Sequence, residues 1–133
     1  EKFWVFNTHF DHIGANARIE SAKLILENIK NINSMNFPIV LMGDFNSEPN
    51  GESIKILENV MTDGLKISQK KLQGPIGTFN GFDVRSSIDK RIDYIFTKSF
   101  EVHSYRHIND RLKNNKHISD HLPVLVKIKG IFP

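Results

Sequence analysis

Residues 3–42 narrow the fold of this chain more than any other part. Phe3 to Thr8 is apolar on both faces, as in a central strand covered on each side. Between Asn16 and Ile32, apolar residues fall at 19, 22, 25, 26, 29 and 32. Glu20, Lys23, Glu27 and Lys30 fall between them. That spacing is helical, with one dry face and one wet face. Phe37-Pro38 ends the linker, and Ile39 to Met42 is apolar again. Strand, helix and strand with short links make a βαβ unit, whose two strands run parallel.

The rest of the chain continues this α/β pattern. Asn50-Gly51 is a turn signal, and Glu52 to Met61 carries Ile54, Leu57, Val60 and Met61 at helical spacing. Thr62 to Lys90 is irregular and holds the turn-dense GPIGTFNGFD. Arg91 to Thr97 alternates as a strand, and Phe100 to His107 is expected to be another. Asn109 to Lys116 is a polar, basic loop before a last strand, Leu122 to Ile128. No repeat or internal boundary interrupts the 133 residues, which suit one domain. No apolar run approaches the ~18 residues of a membrane span. The absence of cysteine excludes disulfides, thiolate metal sites and cysteine nucleophiles. A net charge of +3 is compatible with a phosphate-bearing ligand without demanding one.

The unusual polar residues stand at strand ends. Side chains alternate along a strand, so Asn7 and His9 share a face with Phe3 and Val5. In VLMGDFNSEP the apolar run stops at Met42, and Asp44 and Asn46 follow on one side. If the two strands are parallel neighbours, both polar pairs emerge at one edge, where α/β sheets bind ligands. Read alone, GDFN suits a turn as well as a site. In RIDYIF, Asp93 lies within a strand, where a carboxylate is costly unless paired. Arg91 and a histidine are the candidate partners. In HISDHLPV, Asp120 and His121 precede an apolar strand, and an Asp–His pair fixes an imidazole tautomer and raises its basicity. Four such segments are hard to explain as four independent turns. Hard oxygen donors without cysteine favour Mg²⁺ or Mn²⁺ over zinc.

NTHFDH, GDFNSEP, TFNGF, RIDYIF and SDHLPV, in this order, resemble the endonuclease/exonuclease/phosphatase superfamily, the deoxyribonuclease I-like fold. Their wording is most similar to bacterial members of unassigned substrate. The resemblance covers essentially the whole chain. It implies an α/β (α+β) fold, the second half of a four-layer α/β/β/α sandwich. This chain would supply one mixed sheet of about five to six strands, with helices on its outer face. It also implies a metal-dependent phosphoester hydrolase. His9 would contact the scissile phosphate, and Asp44 would activate water or share the metal. Asn46 would bond a phosphate oxygen. Asp120 would help hold Mg²⁺ or Mn²⁺, and His121 would be general base or charge stabiliser, oriented by Asp93. Asn7, Thr78 and Asn80 would line the site.

Family members carry a metal-binding Glu in the first half of the fold, and Glu1 does not stand at its position. The expectation is that residues 1–133 are the carboxyl-terminal portion of one domain, partnered by the other half. The intact protein would be the enzyme, and these 133 residues alone would be inactive or weak. A catalytically silent member serving as a binding domain is the alternative. Nucleic acid, a phospholipid head group or a small phosphoester all remain open as substrates, and the compartment is open between cytoplasmic and secreted. His12, His103, His107 and His117 lack ligand-like spacing and are assigned surface or structural roles. Arg111, Lys113 and Lys116 are either a solvated loop or steering charges. Phe79 and Phe82 are read as loop anchors before a base platform.

Overall fold

The computed structural model describes residues 1–132. Among them are β1 (Trp4–His9), α1 (Ala15–Ile32), β2 (Ile39–Asp44), α2 (Glu52–Glu58), β3 (Thr62–Asp63), β4 (Asp93–Lys98), β5 (Phe100–His107) and β6 (Val124–Gly130). β1, β2, β4 and β3, in that order, form a mixed sheet, and β5 and β6 form a separate antiparallel pair. One sheet of about five to six strands was expected; the six described strands divide between two. The single residue Ser99, at φ 61°, joins β4 to β5 and turns the chain out of the sheet.

The βαβ unit forms as its pattern requires, with β1 and β2 parallel and in register from Trp4↔Ile39 to His9↔Asp44. β4 pairs antiparallel with the other side of β2, from Ile39↔Lys98 to Asp44↔Asp93. One face of the sheet presents Ile39, Leu41, Tyr94 and Phe96 to the helices, where Ala22, Ile29, Ile54 and Leu57 complete a buried cluster with Phe10 and Phe45. The opposite face presents Val40 and Ile95 to Phe100, Val102 and Tyr105 of the ribbon. Alternation along β2 therefore feeds two cores, one on each side. Tyr105 also links the layers by polar contact, its hydroxyl accepting the Ile95 N–H at 3.0 Å.

Among the described residues β1 pairs with β2 alone, and Trp4 and Val5 are 40% and 48% exposed, so the cover expected on both of its faces is not supplied within them. α2 is shorter than Glu52–Met61, since Val60 and Met61 close its end with bonds to Leu57 O. β6 begins two residues after Leu122, past Pro123, which lacks the N–H a central ladder needs.

Of the two candidate partners of Asp93, Arg91 is not the one. The pairing strand starts only at Asp93, and the Arg91 guanidinium turns to Asp63, with Nη1 and Nη2 each donating to one carboxylate oxygen at 2.7 Å. Both residues are buried, and the guanidinium stacks 4.3 Å from the Tyr94 ring. Removing one member leaves the other charge uncompensated. Asp63→Ala is expected to cost about 3–5 kcal/mol of stability, read by urea unfolding. Asp63→Leu combined with Arg91→Met is expected to recover most of that loss.

His107 closes the base of the irregular segment. Its N–H donates to Gln73 O at 2.9 Å, and its Nδ1 lies 2.8 Å from Pro75 O. Burial holds its pKa below 6.5, with the Pro75 bond pulling the other way. A histidine depressed in the fold binds fewer protons there than when unfolded, so its contribution is present above pH 6.5 and is lost as pH falls through the folded pKa. In His107→Phe the melting temperature should be lower at pH 8. It should also fall less steeply than wild type on acidification below pH 6.5. Parallel pH curves for the two proteins would contradict this.

Candidate functional site

The ladder places three polar side chains in one row. His9 is the register partner of Asp44, and Asp44 that of Asp93, so all three share the ribbon-side face at one end of the sheet. Gly43 permits the close approach there. Its φ is +144°, and a β-carbon built on it would overlap the Thr8 carbonyl oxygen. Any larger residue would push β1 away from β2 beside His9.

Asp44 is the hub of the row, and its side chain is only 12% exposed. Its Oδ1 accepts the Asn46 N–H at 2.7 Å, and its Oδ2 lies 3.3 Å from His9 Nε2 and 3.8 Å from His121 Nε2. Asn46 sits at φ 46°, a left-handed conformation that asparagine tolerates. Its Nδ2 donates to Phe10 O at 3.0 Å and to Asp44 Oδ2 at 3.3 Å. It thereby ties the end of β1 to the end of β2.

His121 comes from the lead-in to β6. Its Nδ1 is 2.8 Å from Asp93 Oδ2, the pairing anticipated from the sequence. Burial raises the pKa of Asp93; its hydrogen bonds with Thr78 and His121 oppose the rise, and the Asp44 charge adds to it. With Asp93 ionised, Nδ1 carries the ring proton and Nε2 is an acceptor. Two acceptors, His121 Nε2 and Asp44 Oδ2, then face each other 3.8 Å apart, too far for a direct bond. That gap suits a water or a cation.

The carboxylates of Asp44 and Asp93 and the His121 ring bring one ligand atom each within 4.8 Å of one another. Two hard oxygens and an imidazole suit a divalent cation. Asp120, expected beside Asp44 at the metal, is not in this group. It ends a bend, its carbonyl accepts the N–H groups of Asn80 and Gly81, and its Oδ1 accepts the Ser119 hydroxyl at 3.4 Å. Asn7 is exposed and lines a cleft of about 270 Å³ together with Asp44 and Asp93. A larger groove, about 470 Å³, lies between Leu26, Val60 and Lys98, and no aspartate or histidine lines it.

Thr78 and Asn80 are placed differently from a lining role. Both are buried. Thr78 Oγ1 accepts the N–H groups of Ile92 and Asp93 at 3.1 Å each. Asn80 Nδ2 donates to Ser119 O at 3.0 Å, and its backbone N–H donates to Asp120 O at 2.8 Å. One holds Asp93 and the other holds the segment that carries His121. The sequence pattern TFN announced polar groups near the site but not whether they face solvent or backbone.

The endonuclease/exonuclease/phosphatase family model matches residues 2–121. The chain belongs to this family. Several solved structures are similar over nearly its whole length, these two among them. One is a conserved protein of unknown function from Enterococcus faecalis V583, 31% identical, covering 95% of this chain and 49% of that one, with a TM-score of 0.86. The other is a mannosyl-6-phosphatase from Bacteroides thetaiotaomicron VPI-5482, 36% identical, covering 94% of this chain and 50% of that one, with a TM-score of 0.85. The human Nocturnin catalytic domain with bound sulfate shares the fold, at 24% identity and a TM-score of 0.70, over 93% of this chain and 46% of its own. No curated protein matches the chain significantly. The chain spans about half the length of the solved relatives it matches.

Within this endonuclease/exonuclease/phosphatase chain, Phe79 has a role that was only half visible. Its ring stands edge-on to the His121 imidazole, centroids 5.1 Å apart, with Lys90 Nζ 5.3 Å from its own centroid. It is an anchor, and what it anchors is the histidine. The aromatic residue beside Asn80 was the available signal; nothing in the sequence singled out Lys90. The basic loop also resolves in part. Arg111 is an anchor whose Nη1 donates to Val84 O at 3.0 Å, while Lys113 and Lys116 stay exposed.

A carboxylate whose folded pKa is raised contributes its full stability only below the unfolded value near 3.8, and loses it as pH rises through the folded value. Asp93→Asn is therefore expected to melt no lower than wild type at pH 7, with any advantage vanishing in acid. The same variant should free the His121 tautomer, read from imidazole ¹⁵N shifts. A lower melting temperature at pH 7 with an unchanged tautomer would contradict this arrangement.

Proposed function

We propose that the protein is a divalent-metal-dependent phosphoester hydrolase whose working groups are His9, Asp44, Asn46, Asp93 and His121. The observation that carries this reading is the 2.8 Å Asp93–His121 bond, which leaves Nε2 facing Asp44 across 3.8 Å. Family membership and the phosphatase among its relatives support the reaction class.

In this reading a water sits between Asp44 Oδ2 and His121 Nε2. Asp44 orients it, and its oxygen attacks phosphorus as its proton passes to Nε2. The new P–O bond forms, the bond to the alcohol oxygen breaks, and the departing oxygen takes a proton from solvent. Asp93 stabilises the imidazolium so formed. His9, 69% exposed at the rim, is free to turn its ring to a phosphate oxygen. The Asn46 amide would meet a second oxygen by exchanging its longer bond, the one to Asp44, for the phosphate. Asp44 would hold Mg²⁺ or Mn²⁺, with Asp120 as a second carboxylate one residue from His121. When bound, the metal would neutralise charge on the phosphate oxygens. Asn7 would line the same cleft.

The whole protein's activity and substrate are part of this proposal. The carboxyl-terminal half-domain assignment belongs to it too, with the rest of the fold as its partner and weak activity from these 133 residues alone. Among the described residues, no helix is long and apolar enough to cross a membrane.

In the full-length protein with Mg²⁺, Asp44→Ala and His121→Ala are each expected to lower kcat by about 10²–10⁴-fold on an aryl phosphate. EDTA should abolish the activity, and added Mg²⁺ or Mn²⁺ should restore it. Full activity in both variants would overturn the roles of Asp44 and His121.

A further inference from the structure

The ribbon of β5 and β6 has a second face, turned away from the sheet. Val102 and Tyr105 of β5 and Val126 and Ile128 of β6 pack into the core. Side chains alternate, so Glu101, Arg106, Lys127 and Lys129 point outward, and all four are exposed. With Lys70 at its border, this face carries four cations and one acid, a net +3. That equals the net charge of all 133 residues, so the rest of the chain is balanced. The excess positive charge of the molecule is gathered on one side of the ribbon.

A hollow of about 220 Å³ opens on this face, lined by Gln69, Lys70, His103, Ser104 and Lys127. Ser104 and Lys127 are register partners, and the register shifts between Val102 and Ser104, which leaves His103 as the additional residue of a bulge. A bulge re-aims a side chain, and the His103 ring meets Gln69, with Nδ1 2.9 Å from Oε1. A carbonyl oxygen only accepts, so Nδ1 carries the ring proton and the Gln69 amide N–H groups are left over. The Gln69 backbone N–H donates to Val102 O at 2.9 Å and fixes this wall beside the bulge. The lining therefore offers two ammonium groups, an amide and a hydroxyl as donors, and no carboxylate stands among them. Among the described residues neither Lys70 nor Lys127 is in an ion pair. Such a set suits an oxyanion, which accepts several bonds at once, the charged ones being the stronger. The volume lies below the about 300 Å³ at which drug-sized pockets begin, so the anion is a small one.

We propose that this hollow binds a phosphoryl group, as inorganic phosphate or as the phosphate of a small phosphorylated molecule, at a site separate from the cleft of Asp44. Lys70 and Lys127 supply the charge, and the Gln69 amide and the Ser104 hydroxyl orient the oxygens. Val124, at the start of β6, lines the Asp44 cleft; Lys127 is three residues on, about 10 Å along the strand and on its other face. The site goes beyond the hydrolase reading and does not depend on it.

The test follows amide and imidazole ¹⁵N shifts of the full-length protein, without divalent metal and at constant ionic strength. Inorganic phosphate, glycerol 3-phosphate and a short single-stranded oligonucleotide are titrated separately. Saturable shifts at His103, Ser104 and Lys127 are expected with phosphate or glycerol 3-phosphate, and the tighter of the two says whether the group arrives free or esterified. In Lys70→Gln combined with Lys127→Gln, the Kd read at Ser104 is expected to rise about 10-fold or more. Both lysines are exposed, so the substitutions place little demand on folding. A Kd within about twofold of wild type in that variant overturns the site, as do shifts that fail to saturate with either phosphate compound. Shifts at these residues with the oligonucleotide alone overturn the small-anion assignment.

Discussion

The register of three strands is the constraint on which the candidate site depends. β2 is held parallel by β1 and antiparallel by β4, and both ladders terminate at Asp44. Because side chains alternate, a slip of one residue in either ladder would send His9 or Asp93 to the helix face. The register is secured from both sides. Leu41 and Phe96 are wholly buried against the helices, and Val40 and Ile95 are buried against the ribbon. Burial on both faces of β2 leaves no alternative pairing with the same apolar match. The polar row is thus positioned by apolar contacts farther along the same strands.

Around that row, the polar groups are arranged in two rings. The inner ring gathers about Asp44: His9, Asp44, Asp93 and His121. The outer ring is bonded to backbone. Thr78 holds the N–H groups at the start of β4, Asn80 holds the carbonyls before His121, and Asn46 holds the carbonyl after β1. Each outer residue fixes the chain at a point where a strand ends and no ladder remains to do so. Unmatched buried polar groups are costly, so these bonds also keep the loop from opening. The buried Arg91–Asp63 pair plays the corresponding part at the other side of β4, where a two-residue β3 gives little ladder of its own.

Much of this was legible from residue order. The βαβ unit and the common sheet edge of His9 and Asp44 follow from spacing and alternation, whereas the cost of a carboxylate within a strand left Arg91 and a histidine open as partners of Asp93, and the family resemblance pointed to His121. What alternation could not give was a partner across a long separation. Asp63 lies 28 residues from Arg91 in a segment with no pattern, so proximity offered only Asp93 as a candidate for Arg91. The cover of β1 is a like case, because strand composition reports what an element is able to bury, not what covers it. Thr78 and Asn80 carried the right residue types and the right neighbourhood. Whether a polar side chain bonds backbone or ligand depends on the direction of a turn, and short loop motifs do not encode that at the level of residue type.

The central claim is that Asp44 and the Asp93-held His121 converge on one phosphate. It is tested most directly by a crystal structure of the full-length protein with Mg²⁺ and vanadate, which mimics phosphate during displacement. Vanadium is expected beside the 3.8 Å gap between Asp44 Oδ2 and His121 Nε2, with Nε2 toward its oxygens and the Nδ1–Asp93 bond kept. Vanadate bound elsewhere, or a His121 ring turned away with the Asp93 bond broken, would contradict it.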